Sequence, residues 1–203
     1  MTARGAGMDG GAVRGQDRGM APSKAPAGGD ELPRELLVLR HAKSDRPPGT
    51  RDFDRPLAKR GRRDAPRVGE WLREEGLVPD LVLSSPAARA RETVERILPA
   101  LRIGTGAIEW DGRVYEGRLD GLLAVLADVP ATARRVLLVG HNPGLEDLVL
   151  HLGGDVPIPD DGKLLPTAAI ARLRMPADWS RLHPRAGELV GIRRPREDGD
   201  VPK

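Results

Sequence analysis

Two arginines and two histidines follow the most apolar runs of the chain. The run "LLVL" leads directly into Arg40 and His41, "LVLSS" is followed a few residues later by Arg89, and "VLLVG" leads into His141. Arginine forks match phosphoryl oxygens in a bidentate way, and an imidazole can attack phosphorus as a nucleophile. These residue types predict phosphoryl transfer, in which positioning and electrostatics supply most of the catalysis.

Those side chains need a scaffold in which the strands end at one edge of a sheet. Short apolar runs alternate with amphipathic stretches from about residue 31 onward, which is typical of a parallel sheet covered on both faces. Ligands of such sheets bind beyond the carboxyl ends of the strands, so the four side chains should converge there. We predict a single three-layer α/β domain with a mostly parallel sheet flanked by helices.

The pattern predicts six strands and four long helices. Asp64 is the expected N-cap of the first helix, which would put Pro66 in its first turn. The predicted strands span residues 35–40, 80–85, 107–110, 134–141, 167–175 and 187–194. The predicted helices span residues 63–75, 86–98, 119–129 and 144–152.

Composition divides the chain into a tail and one domain. Residues 1–30 are rich in Gly, Ala, Arg and Pro without helical or strand periodicity, which predicts a disordered tail before a catalytic domain at 31–203. The absence of cysteine excludes disulfides and thiolate catalysis. The histidines have neither HxH nor HExxH spacing, so we expect no metal and no other cofactor.

The same composition limits the partners. Only 2% of the residues are aromatic, which argues against a nucleic-acid surface that stacks bases. The net charge of +3 is compatible with a basic site for an anionic substrate. No run approaches the roughly 20 apolar residues of a membrane span, and the N-terminus lacks the apolar core of a signal peptide. We therefore expect a cytoplasmic protein that acts on neither nucleic acid nor membrane.

Three motifs in order carry a family resemblance. "LRHA", "SSPAARARET" and "GHNPG" each follow a predicted strand and together resemble the histidine phosphatase superfamily. "DRPLAKRG" at 54–61 resembles its small SixA-type phosphohistidine phosphatases, and the similarity covers about residues 36–153. The resemblance implies that His41 accepts the phosphoryl group, that Arg40 and Arg89 bind it, and that His141 completes the pocket.

The resemblance also implies a general acid, for which Glu116 in "RVYEGRLD" is the best match. An imidazole leaves phosphorus more readily than an alkoxide, so such an acid matters less for phosphohistidine. Two positions depart from the family pattern. Ala58 stands where relatives often place Ser or Thr before the first helix, and Glu92 stands where Gln is common.

Three functions fit these residues. The first is a metal-independent phosphatase that works through phospho-His41 and removes phosphate from phosphohistidine on a partner protein. The second applies the same mechanism to a small phosphoester or nucleotide. The third is a non-catalytic phosphate-binding protein, which the complete set of two arginines and two histidines disfavours.

Two further features have two interpretations each. Lys43 and Ser44 either contact the phosphate or lie in solvent. The basic run 59–63 is either a nucleic-acid patch or the start of a helix beside a phosphate pocket.

Overall fold

A computed structural model describes residues 34–195, apart from the side chain of Glu116. The predicted tail at residues 1–30 lies outside the described residues. The strands are β1 (Arg34–Arg40), β2 (Leu81–Ser84), β3 (Ile108–Trp110), β4 (Arg135–Gly140), β5 (Ile170–Met175) and β6 (Glu188–Arg193). The helices are α1 (Lys59–Glu74), α2 (Ala88–Leu101), α3 (Gly112–Glu116), α4 (Leu119–Ala127) and α5 (Gly144–Gly153).

The six strands form one mixed sheet in the order β3-β2-β4-β1-β5-β6. The first four strands in this order are parallel. At one side β5 pairs antiparallel with β1, and β6 pairs antiparallel with β5. This sheet with its flanking helices confirms the predicted α/β class. In the central β1–β4 pair, Arg40 lies opposite Gly140, so His41 and His141 leave neighbouring strands at the same level.

Both faces of the sheet are buried, which explains the continuous apolar runs. Leu36 and Val38 of β1 pack in a cluster with side chains of α3, α4 and α5. Leu37 and Leu39 point to the opposite face and pack against α1 and α2. Alternating side chains of a strand point to opposite faces, so β1 is clamped from both sides and provides a rigid support for the residues at its end.

The start of α1 differs from the prediction. The helix begins at Lys59 with Ala58 at the N-cap and no side-chain cap, so Asp64 lies inside it. Asp64 is buried and forms ion pairs with Arg60 at 3.3 Å and Arg63 at 3.2 Å. The carboxylate therefore stabilises the charged first turns from within the helix, and Pro66 lies beyond the first turn.

Candidate active site

His41 follows β1 directly and is 7% exposed. Its Nδ1 lies 2.8 Å from the carbonyl oxygen of Ala42, so Nδ1 carries the proton that this hydrogen bond needs. Nε2 then holds the lone pair and accepts a hydrogen bond from Arg89 Nε at 3.3 Å. Burial, with smaller effects from Arg89 and Arg40, lowers the pKa of His41 to about 4. At neutral pH the ring is therefore uncharged, and Nε2 can act as a nucleophile.

Arg89 lies in the first turn of α2 and is held by the loop that contains Asp52. Its Nη1 donates to the Asp52 carbonyl oxygen at 2.6 Å and its Nη2 to Asp52 Oδ2 at 3.0 Å. Hydrogen bonds from Arg55, then Arg89 and Tyr115, lower the pKa of Asp52 to about 2. Asp52 is thus an anion at neutral pH, and it fixes the plane of the guanidinium group beside His41.

His141 follows β4, with its ring centroid 5.0 Å from that of His41. Its Nε2 lies 2.8 Å from Ser85 Oγ, which accepts a hydrogen bond from the backbone N–H of Ala87 at 3.2 Å. In the tautomer in which the Ser85 hydroxyl donates to Nε2, the ring proton lies on Nδ1. Burial, with smaller effects from His41 and Arg89, lowers the pKa of His141 to about 3. The neutral ring can therefore donate a hydrogen bond from Nδ1.

Arg40 ends β1 and contributes positive charge to both histidines, since it lowers the pKa of each. Its Nη1 donates to the Leu165 carbonyl oxygen at 2.8 Å. Among the described residues, the buried side-chain polar atoms without a hydrogen-bond partner are Arg40 Nε, His141 Nδ1 and Asn142 Oδ1. Buried polar groups are nearly always paired, and a phosphoryl oxygen is an acceptor that the first two atoms could share.

Aromatic rings form one wall of the site. The Tyr115 ring contacts the edge of His141 with 5.6 Å between centroids, and Phe53 packs against Tyr115 at 5.0 Å. The Tyr115 hydroxyl donates to Asp52 Oδ2 at 3.2 Å. The backbone at the start of α5 packs directly against the backbone after α3, which carries Tyr115. Gly144 is required for this contact, because a Cβ there would lie only 1.3 Å from the Gly117 carbonyl oxygen.

The remaining predicted residues lie at the margin. Glu116 ends α3, and its side chain is outside the described part of the structure, so its role as an acid stays a prediction. Ser44 Oγ accepts from Arg55 at 2.9 Å, whereas Lys43 is exposed. Glu92 accepts a 3.3 Å hydrogen bond from the Leu57 N–H, so this departure from the family pattern supports the loop before α1.

Several residues of the site were missed at the sequence level. Ser85 ends the run "LVLSS" and could have been found with the strand-end argument that located His41 and His141. Thr93 accepts from the Ala42 N–H at 3.0 Å and donates to the Arg89 carbonyl oxygen at 2.6 Å, which ties α2 to the residue after His41. No sequence pattern marks Asp52 or Tyr115 as residues of the site. Asp52 lies in a loop and Tyr115 in the short helix α3, and only tertiary contacts bring both to Arg89 and His141.

The described residues, 34–195, contain no group of three or more His, Cys, Asp or Glu side chains that could hold a metal ion. None of their helices is long and apolar enough to cross a membrane.

Comparison with known proteins finds a matching family model and related sequences. The sequence model of the histidine phosphatase superfamily (branch 1) matches residues 36–148. An uncharacterised protein of Mycobacterium tuberculosis is 35% identical over 164 residues, which cover 78% of this chain and 100% of the relative.

Solved structures agree with that match. A candidate phosphohistidine phosphatase SixA from Agrobacterium tumefaciens superposes with a TM-score of 0.68 at 30% identity, over 81% of this chain and 99% of that one. A second candidate SixA, from Nakamurella multipartitia, gives a TM-score of 0.67 at 32% identity, over 80% and 96% of the two chains.

Proposed function

Because the chain belongs to the histidine phosphatase superfamily (branch 1), we propose that it is a phosphohistidine phosphatase that works through a phosphorylated His41. The observation that carries the proposal is the state of the His41 ring. Its Nδ1 proton is committed to the Ala42 carbonyl oxygen, and its Nε2 lone pair lies against the Arg89 guanidinium group. A neutral, oriented imidazole beside a phosphoryl-binding cation is what nucleophilic attack on phosphorus requires.

In the first step the His41 Nε2 lone pair forms a bond to phosphorus, and the bond between phosphorus and the substrate nitrogen breaks. The electron pair of that bond stays with the leaving imidazole, which departs as a neutral ring if its other nitrogen carries a proton. Arg40, Arg89 and the Nδ1–H of His141 stabilise the phosphoryl oxygens, which carry the negative charge of the transition state.

In the second step water attacks the phosphorus of phospho-His41. The phosphorus–nitrogen bond breaks, its electron pair returns to Nε2, and the water proton passes to the inorganic phosphate or to solvent. Glu116 is the candidate for a general acid with poorer leaving groups, where protonation of an alkoxide oxygen is required. The cycle restores the neutral His41 ring.

Phosphohistidine on a partner protein is the proposed substrate. The Agrobacterium and Nakamurella relatives, which carry the SixA phosphohistidine phosphatase description, support this substrate class. Loss of an imidazole leaving group also makes little demand on an acid, which suits a site whose two buried histidines have lowered pKa values.

The test compares substrates and variants. We expect the wild type to dephosphorylate a phosphohistidine-carrying protein with a kcat/KM at least about a hundredfold above that for sugar phosphates, nucleotides and aryl phosphates. The His41→Ala variant should lose this activity, and the exposed His183→Ala control should retain it. Preference for a small phosphoester would refute the substrate class, and full activity of His41→Ala would refute the mechanism.

A further inference from the structure

A concave pocket of about 380 Å³ lies beside Arg40. Its wall combines the end of β1, the first turn of α1 and the segments at 161–167 and 194–195. The charged side chains that line it are those of Arg40, Lys43, Arg60, Lys163, Arg194 and Asp161. Five cations thus face one carboxylate in a single cavity.

The positive charge of this basic pocket is only partly neutralised by the protein. Arg194 pairs with Asp161 at 3.0 Å, and Arg60 pairs with Asp64 at 3.3 Å. Lys43 and Lys163 are both exposed. Lys163 lies near Asp161, and its backbone N–H and its charge both help to lower the pKa of Asp161, whereas no ion pair involves Lys43 within the described residues 34–195. Like charges gathered in a concave surface repel one another and attract anions from solution, so the surplus positive charge of the two ammonium groups is available to an acidic ligand.

The backbone holds this charge in place. The Ala58 N–H donates to the Lys43 carbonyl oxygen at 2.9 Å, and a Cβ at Gly61 would lie only 2.1 Å from that oxygen. The first turn of α1 has no acidic residue and carries Lys59 and Arg60. Cations at a helix N-terminus oppose the macrodipole, and such a local conflict is typical of a functional site.

Arg40 connects the basic pocket to the candidate active site. It lines the pocket, and its charge also lowers the pKa of His41 and His141. A ligand that places its phosphoryl group at His41 can therefore place a second anionic group in the pocket.

We propose that the basic pocket binds a carboxylate side chain that lies next to the phosphohistidine on the surface of the partner protein. The inference rests on the proposed function and names the surface chemistry of its substrate. On the surface of a protein substrate the anionic groups beside a phosphohistidine are Asp and Glu carboxylates, and a lysine ammonium, as a mobile point charge, accepts them from many approach directions. An acidic surface would also be steered toward the pocket at low ionic strength.

The kinetic test uses two phosphohistidine peptides of equal length, one with glutamates beside the phosphohistidine and one with glutamines. The Lys43→Gln/Lys163→Gln variant should raise KM for the glutamate peptide about tenfold at low salt and leave kcat within about twofold. Its kcat/KM for the glutamine peptide should stay within about twofold of wild type. The matched control, Arg73→Gln/Arg96→Gln, removes two exposed cations from α1 and α2 outside the pocket and should change neither peptide's KM.

A binding measurement separates failure of this inference from failure of the proposed function. Fluorescence anisotropy would follow the same peptides, carrying a non-hydrolysable phosphohistidine analogue, on His41→Ala protein with and without the lysine substitutions. Tighter binding of the glutamate peptide that disappears with the two lysines supports the pocket even if turnover is absent. Equal affinity for both peptides, or a preference for the glutamate peptide that survives the two lysine substitutions, would overturn the inference.

Discussion

At the residue scale, the chemistry depends on a histidine that stays uncharged. His41 is buried beside Arg89, and its pKa falls from 6.5 to about 4. In the proposed mechanism a phosphoryl group therefore meets positive charge from the arginines and a lone pair from the imidazole. The arginines supply the positive charge and His41 supplies the lone pair, so His41 does not have to be protonated to bind the phosphoryl group.

The pKa of His41 can be measured directly. In NMR titrations of histidine-labelled protein we expect its midpoint near pH 4 in the ligand-free enzyme. The unfolded chain binds this proton below about pH 6.5, so the folded state loses stability as the pH falls from there toward 4. Compared with His41→Asn, the wild type should lose about 2 kcal/mol more unfolding free energy between pH 7 and pH 5. Parallel pH profiles for the two proteins would contradict the lowered pKa.

Asp52 has two separable effects on Arg89. Its carboxylate orients the guanidinium group through the 3.0 Å contact with Nη2, and its charge competes with a bound phosphate. Asp52→Asn keeps an acceptor and removes the charge, so inorganic phosphate should inhibit this variant at concentrations about threefold to tenfold lower than wild type. Asp52→Ala removes the acceptor as well and should lower kcat. Equal effects of the two substitutions on kcat and phosphate affinity would refute this separation.

At the element scale, the ends of β1, β2 and β4 bring the site together. These positions were predictable, because each buried strand changes abruptly to polar chemistry at its carboxyl end and parallel strands end at the same edge. The start of α1 was predicted only in part, because a helix start was one of two alternatives for the basic run 59–63 while the N-cap was expected at Asp64. Residues 59–63 are almost all basic and lack apolar periodicity, and the cap position holds Ala58, so the helix start depends on tertiary contacts with the preceding loop.

The close approach of α5 to the end of α3 gives an element-scale prediction. A Cβ at Gly144 would lie 1.3 Å from the Gly117 carbonyl oxygen, so Gly144→Ala must displace the backbone next to His141. We expect a loss of at least about 3 kcal/mol in unfolding free energy, in the range of severe core overpacking. The matched control is Gly121→Ala within α4, where the nearest atom would be 3.7 Å away. Denaturant unfolding should show a neutral or slightly stabilising effect for the control, and similar stability of both variants would contradict the packing account.

At the scale of the whole molecule, charge is divided between the two ends of β1. Glu35 lies at the amino end, where its buried carboxylate accepts hydrogen bonds from the half-buried Arg135 and Arg172, with 2.6 Å between Glu35 Oε2 and Arg135 Nε. Although burial opposes it, the hydrogen bonds from Arg172 and Arg135 lower the pKa of Glu35. This ion cluster contributes to the stability of the fold, whereas the cations at the carboxyl end have a role in the proposed chemistry.

Glu35→Gln tests that division. Gln keeps an acceptor but removes the charge that the two half-buried arginines bind, so the substitution should cost about 1.5 kcal/mol of unfolding free energy. Because the cluster lies at the opposite end of the strand from His41, kcat/KM measured well below the melting temperature should remain within about twofold of wild type. A large fall in kcat/KM without a fall in stability would contradict the separation of the two ends.

Of the predictions made from sequence for the whole molecule, some are confirmed and others stay predictions. The α/β class and the family follow from local patterns, and both are confirmed by the fold and the comparisons. The boundary between the tail and the domain, the cytoplasmic location and the role of Glu116 stay predictions. Loop residues such as Asp52 could not be found from sequence, since only the folded chain brings them to Arg89.

The most direct test of the account is a rapid-quench measurement of the enzyme intermediate. A phosphohistidine substrate with labelled phosphate would be mixed with a comparable amount of enzyme, quenched in base within milliseconds, and the label located by mass spectrometry. We predict close to one base-stable, acid-labile phosphoryl group on Nε2 of His41, absent from His41→Ala. A steady turnover with no labelled enzyme, or label of equal amount on His41→Ala, would contradict the central claim that His41 is the nucleophile.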